Sequence, residues 1–343
     1  MSGTKYFSNY ITERKLWLGL TLVAVLGTAL TGCKSQLAAP VVDASPGVRV
    51  SENAISPELQ AMLDTWSDPA IQKVEAFQIF DNLYYVGIDW VAAYVLETSA
   101  GLILIDALYD PWVEHLLEGM TTLGLDPNDI EYVLVTHGHF DHAGGAAEIN
   151  RRFGATVVMT KEDWALAREP AAIPEFAMDV PPSGQVARDG EIIQLGDTQV
   201  ELYKTPGHTE GVLSLRYPVR DGNQTYTAVT LGGVGLNFSG VERTKSYLAS
   251  YARLQTEIAK GASVSLPNHA QMGRVFERAK LLAARKPGET HPFVDPEGFA
   301  DDLTRFIAAA EEKLQAELTG TAGNPLDALS DALQTQPETP TTQ

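Results

Sequence analysis

Three of the seven histidines in this 343-residue chain fall within six positions, in His137-Gly138-His139-Phe140-Asp141-His142. Imidazole nitrogen with one carboxylate oxygen is a donor set that suits zinc. Without a metal, four such groups in one place would be desolvated titratable side chains lacking partners, which is costly. Two further histidines are presented in a similar way. His208 sits in Thr205-Pro206-Gly207-His208-Thr209-Glu210-Gly211 and His269 in Leu266-Pro267-Asn268-His269, each just past a short β-rich run. Taken singly, each reads equally well as a ligand or an ordinary loop histidine. His115, inside a helical pattern, and His291, before Pro292, have no such presentation and read as structural or surface residues.

The elements around these residues are legible from period and punctuation. Phe77 to Phe80, the polar pair Asp81-Asn82, and Leu83 to Val86 predict a hairpin. Val91 to Glu97 and Leu102 to Ile105 predict two more strands, and Pro111 to Leu123 a helix with proline at its tolerant first turn. Tyr132 to Val135 is wholly apolar, as expected of a strand buried on both faces, and it runs straight into His137. Asp141 and His142 are expected at the start of the next helix, which reads over Ala143 to Phe153, followed by a strand at Thr156 to Met159 and a helix near Lys161 to Arg168. Strands are expected at Val200–Lys204, Leu213–Tyr217, Thr225–Leu231 and Val264–Leu266. Helices are expected at Glu242–Lys260, Arg274–Arg285 and Phe299–Leu318. Antiparallel hairpins with interleaved helices imply two sheets covered by outer helices.

Composition bounds the function. A hydrophobic share of 44% is enough for a sizeable core, while the net charge of −19 repels phosphate backbones and argues against nucleic acid as a partner. Basic residues Lys5, Arg14 and Lys15 precede the apolar run Leu16 to Leu30, whose length is that of an export signal rather than a membrane span. The quartet Leu30-Thr31-Gly32-Cys33 resembles the bacterial lipobox, which implies lipidation of Cys33, the only cysteine in the chain. The expected organisation is a lipoprotein signal peptide over 1–32, a tether over 33–60, a hydrolase domain over 61–318 and a disordered tail over 319–343. Lys34 after Cys33 resembles outer-membrane sorting, so the domain is expected to be membrane-anchored through lipid and to face the periplasm.

The histidine run, Gly207-His208, the late His269, and Asp106 at the end of Gly101 to Ile105 together resemble the metallo-β-lactamase superfamily over about Phe77 to Leu282. That resemblance implies an α+β fold, the αββα sandwich, and a metal-dependent hydrolase acting on a small molecule. Many members place a bridging aspartate after the strand that here ends at Leu231, where this chain has Gly232-Gly233-Val234-Gly235. Other branches use a cysteine ligand, or a glutamate at the position of His139. What remains is most similar to subclass B3. It implies two Zn2+ ions, one on His137, His139 and His208 and one on Asp141, His142 and His269. In the implied chemistry a metal-bridging hydroxide attacks a carbonyl, with His139 and Asp141 in the catalytic machinery and Asp141 orienting the nucleophile. The carbonyl implied is that of a β-lactam amide, with lactones, esters or other amides as the alternative and a non-catalytic metal-binding lipoprotein as a third reading. The serines that hold the substrate carboxylate in B3 enzymes are absent or displaced here, and Asn237 is the candidate substrate-binding residue in their place.

Overall fold

The computed structural model describes residues 57–171 and 174–321. The expected export signal, Cys33, the tail beyond 321 and most of the expected tether lie outside the described residues. Helices α1 (Pro57–Ser67) and α2 (Pro69–Gln72) open the described chain, so helix already occupies the last residues expected to be tether.

The first sheet takes seven strands in sequence order: β1 (Phe77–Phe80), β2 (Leu83–Tyr85), β3 (Tyr94–Thr98), β4 (Gly101–Ile105), β5 (Ile130–Leu134), β6 (Thr156–Thr160) and β7 (Gln185–Ala187). Strands β1 to β4 pair antiparallel, whereas β4 to β7 run parallel. Parallel neighbours require crossovers. These are supplied by α3 (Trp112–Thr122), by α4 (Phe140–Ala143) with α5 (Ala146–Phe153), and by α6 (Lys161–Ala167). The second sheet holds β8 (Glu191–Leu195), β9 (Thr198–Lys204), β10 (Leu213–Asp221), β11 (Gln224–Leu231) and β12 (Val264–Pro267) in the order β12-β11-β10-β9-β8. Here β11 and β12 are parallel, joined through α7 (Val241–Arg253). The expectation of antiparallel hairpins therefore holds for only part of each sheet. Helices α8 (Val275–Ala283) and α9 (Pro296–Thr319) complete the chain.

Three apolar clusters give the layers. Leu134 of β5 packs with Leu202, Leu213, Leu215 and Val264 between the two sheets. Its neighbours Val133 and Val135 point the other way, onto Trp112 and Leu116 of α3 and Ile149 of α5. On the far side Val229 and Leu231 of β11 lie under Tyr247 and Tyr251 of α7 and Phe299 and Phe306 of α9. Helix, sheet, sheet, helix is the αββα sandwich, and the two-faced burial expected of Tyr132 to Val135 is observed for Val133 to Val135, with Tyr132 half-buried.

Two predicted helices are interrupted. The one expected from Ala143 to Phe153 is split at Gly144-Gly145. There Gly145 N donates to Leu108 O and Ala107 N donates to His142 O, tying this corner to the loop after β4. The helix expected to Lys260 leaves regular α geometry at Arg253 and continues as a wider turn over Leu254–Ile258. Strands β7 and β8 carry partly exposed mixed residues and gave no clear period.

Candidate metal centre

All six expected ligands meet at one edge of the sandwich, at the C-terminal ends of strands. The segment after β5 brings His137, His139, Asp141 and His142, the loop after β9 brings His208, and the turn after β12 brings His269. Donor atoms of His137, His139 and His208 lie within 4.8 Å of one another, as do those of His137, Asp141 and His142. His269 joins the second group, its Nε2 standing 3.3 Å from His142 Nε2 and 3.7 Å from Asp141 Oδ2, with His142 Nε2 3.2 Å from that same oxygen.

The outer nitrogens of three imidazoles are tied back to oxygen acceptors. His142 Nδ1–H donates to Asp106 Oδ2 (2.7 Å), His208 Nδ1–H to Gly235 O (2.9 Å) and His269 Nδ1–H to Trp90 O (3.0 Å). Each bond fixes a tautomer that leaves the Nε2 lone pair facing inward, the arrangement that orients metal-binding histidines. Asp106 is itself pinned, accepting from Thr136 N (2.7 Å) and Thr136 Oγ1 (2.9 Å), and it sits at φ +59°, a left-handed conformation that Asp tolerates better than most residues.

The protein groups alone do not satisfy one another. His137 Nε2 is buried with no hydrogen-bond partner. His139 Nδ1 and His208 Nε2 face each other at 3.0 Å, as do the Nε2 atoms of His142 and His269 at 3.3 Å, so each pair is satisfied only if one of its inward nitrogens carries a proton. Burial, reinforced by the neighbouring imidazoles, holds His137 well below the usual imidazole range; burial and then His139 do the same to His208. Burial and the nearby His142 push His269 down to about 4. His142 moves the other way: burial opposes its charge, but Asp141 and Asp106 on either side push it up to about 10. Burial would raise Asp141, yet His142, His269 and His139 outweigh it and keep the carboxylate ionised. Neutral imidazoles at His137, His208 and His269 beside an ionised carboxylate, at a spot where the acids draw positive charge onto His142, are what a divalent cation requires. The residues fit the metal.

The loop that carries His208 is held from both sides. Thr209 Oγ1 donates to Asp163 (2.9 Å), while Arg243 donates Nε–H to Gly207 O (3.0 Å) and Nη2–H to His208 O. Burial pushes the Asp163 carboxyl up to about 6 despite the Thr209 bond. The Asn268 side-chain amide reaches Thr136 Oγ1 (3.0 Å) behind the cage. None of these supports was singled out from sequence. Asp163 follows Thr160 as an ordinary helix-capping acid would, and Arg243 reads as a solvated helix charge. His115 and His291 stay outside the centre as expected: His115 Nε2 lies 3.0 Å from Val74 O, and His291 Nε2 2.8 Å from Ile79 O, with its ring stacked on Phe80.

The position after β11 is closed to a carboxylate by geometry. A β-carbon on Gly232 would stand 2.0 Å from Leu213 O. Gly233 has φ +56°, and its β-carbon would stand 2.8 Å from His208 Cβ. Any side chain there collides with the strand or with a candidate ligand. Asn237, three residues on from Val234, lines the cleft that opens over the centre.

Residues 89–222 match the family model of the metallo-beta-lactamase superfamily. A hydroxyacylglutathione hydrolase of Maricaulis maris is 38% identical over 84 residues, 24% of this chain and 28% of that protein. A metal-dependent hydrolase of Pyrobaculum islandicum is 37% identical over 114 residues, 33% of this chain and 45% of that protein. The chain thus spans less than half the length of these two curated relatives. Among solved structures, a subclass B3 metallo-beta-lactamase of Bradyrhizobium japonicum superposes with a TM-score of 0.67 at 27% identity, covering 75% of this chain and 98% of that one. The native metallo-beta-lactamase of Legionella gormanii gives 0.67 at 27% identity over 72% and 98%. With its fold, its histidine cage and these likenesses, the chain carries a metallo-β-lactamase superfamily domain over residues 89–222 and is similar in structure to subclass B3 enzymes.

Proposed function

We propose that this protein is a dinuclear zinc hydrolase that cleaves the amide of a β-lactam. The observation that carries the reading is the donor set. Six inward groups converge, and the glycines at 232 and 233 bar the bridging carboxylate that other branches of the family place there. His137, His139 and His208 would hold one ion, and Asp141, His142 and His269 the other. Two three-donor sites leave open positions, as catalytic rather than structural zinc requires. When bound, zinc supplies a Lewis acid and lowers the pKa of water from about 15.7 to about 7, giving a nucleophile at neutral pH. The chain's own part is to hold that chemistry in place. Asp106 fixes the His142 tautomer, and Asp141, kept ionised by the imidazoles around it, would orient the nucleophile.

A second reading is hydrolysis of a lactone or ester. It is favoured by the sequence likeness to hydroxyacylglutathione hydrolases, whose name states an acyl thioester as substrate. A chromogenic cephalosporin, an acyl-homoserine lactone and an aryl ester, each with and without chelator, separate the readings. Chelator-sensitive cephalosporin turnover supports the first. Lactone or ester turnover alone replaces it with the second. A zinc-loaded protein that turns over none of them is a metal-binding protein without this activity. We also propose export and lipidation at Cys33, which labelled palmitate incorporation in the wild type and in Cys33→Ala tests directly.

A further inference from the structure

The cleft above the metal centre has a volume of about 490 Å³ and touches His139, Asp141, His208 and His269. One wall is a slab of four aromatic rings. Trp66 of α1 stacks on Trp90 with centroids 4.1 Å apart and planes 1° from parallel. Phe140 stacks on Phe176 at 4.4 Å and 7°, and Trp66 lies 6.2 Å from both. The two stacked pairs meet at 40° to 47°, so the wall is an angled apolar surface built of aromatic rings. Leu236, Met272 and Phe306 line the same cleft and add further apolar surface.

Arg305 carries the only permanent positive charge among the described residues lining the cleft. Its Nη2 donates to Met272 O (2.8 Å) and Asp302 Oδ1 (3.0 Å), and its guanidinium lies 4.6 Å from the Phe306 ring centroid. These contacts anchor the group. Its Nη1 and Nε make no hydrogen bond among the described residues, which leaves N–H donors free for a carboxylate oxygen. Asp302 offsets part of the charge, so recognition rests on these free donors.

We propose that the cleft selects carbonyl substrates bearing a bulky aryl or branched-alkyl group, which lies on the Trp66–Phe176 slab, and a carboxylate, which Arg305 grips. This rests on the hydrolase reading above for the word substrate, and its test is one of binding. Tryptophan fluorescence of the zinc-loaded full chain is titrated with 4-phenylbutyrate, butyrate and 4-phenylbutanamide, in the wild type and in Arg305→Gln, Arg305→Lys and Trp66→Leu, with zinc content measured throughout. The expected result is at least about tenfold weaker binding when the ring or the charge is removed from the ligand. Arg305→Gln should lose the preference for the acid over the amide, and Arg305→Lys should keep part of it. Trp66→Leu should narrow the gap between phenylbutyrate and butyrate. Equal affinity for all three ligands overturns the proposal. So does an Arg305→Gln protein that binds the acid as tightly as the wild type, because zinc rather than Arg305 would then hold the carboxylate. A chain that discriminates as expected yet hydrolyses nothing keeps this inference and loses the hydrolase reading. A chain that hydrolyses without discriminating keeps the hydrolase reading alone.

Discussion

The floor and the walls of the cleft are built on different principles. On the floor, three imidazoles have their outer nitrogen tied to a named oxygen, and Asp106, which holds one of them, is pinned by Thr136. The walls are rings and aliphatic side chains brought by segments far apart in sequence, α1, the loop after α6 and α9, with Arg305 as the one fixed cation. Directional bonds hold the floor to a single geometry, whereas nondirectional packing in the walls tolerates changes of shape at modest cost. The chemistry of the site and its choice of substrate therefore rest on different forces and largely on different side chains, with Trp90 and Phe140 as the points where floor and wall meet.

That separation can be broken in graded steps. The largest effect is expected from the floor itself: Asp141→Ala or His139→Ala should lower kcat/KM by at least about a thousandfold, since the metal chemistry supplies the nucleophile. Circular dichroism should remain that of the folded wild type, and unchanged turnover in either variant would end the two-zinc reading. Next comes the support under the His208 loop. The Asp163 carboxyl has a folded pKa raised from 3.8 to about 6, so its contribution is complete below about pH 4 and is lost as pH rises through 6. Replacing it in Asp163→Asn should remove a penalty of up to roughly 3 kcal/mol at pH 8, at about 1.4 kcal/mol per pKa unit. The signature is a variant with a higher Tm than wild type at pH 8 and no advantage at pH 4. Asp106→Asn keeps the left-handed backbone but withdraws the anion from His142. Metal affinity, read by competition with a chromophoric chelator, should fall about 10- to 100-fold. The smallest effect is expected in the walls: Phe176→Leu should cost less than about 1.5 kcal/mol in thermal unfolding and leave zinc content unchanged. A Phe176→Leu protein that lost zinc would show that floor and walls are coupled after all.

How much of this was legible beforehand follows the same division. His137, His139, Asp141 and His142 announce themselves because four donors in six positions have no inexpensive alternative use. His208 and His269 were ambiguous singly, and the family resemblance joined them to the rest. The strands that carry them were readable because a buried strand such as Tyr132 to Val135 must be apolar throughout. The supports were not readable, because a carboxylate such as Asp163 or a helix arginine such as Arg243 acquires its role only from what folding sets beside it. The same holds for the parallel pairing of β4 to β7, which depends on crossovers rather than on local pattern. Trp66 lay just past a segment expected to be tether, and nothing in its neighbours marked it as half of a stacked pair with Trp90, 24 positions away.

The division of the ligands between the sheets has one more consequence. Four of them follow β5 of the first sheet, while His208 and His269 follow β9 and β12 of the second. Each proposed ion draws donors from both, so it would act as a rivet across the sandwich at the edge where the two layers meet. An ion held at a thousand times its dissociation constant adds about 4 kcal/mol to the resistance of the folded chain to unfolding. Metal supply would then govern how long the protein survives heat and proteases, quite apart from whether it can turn over a substrate.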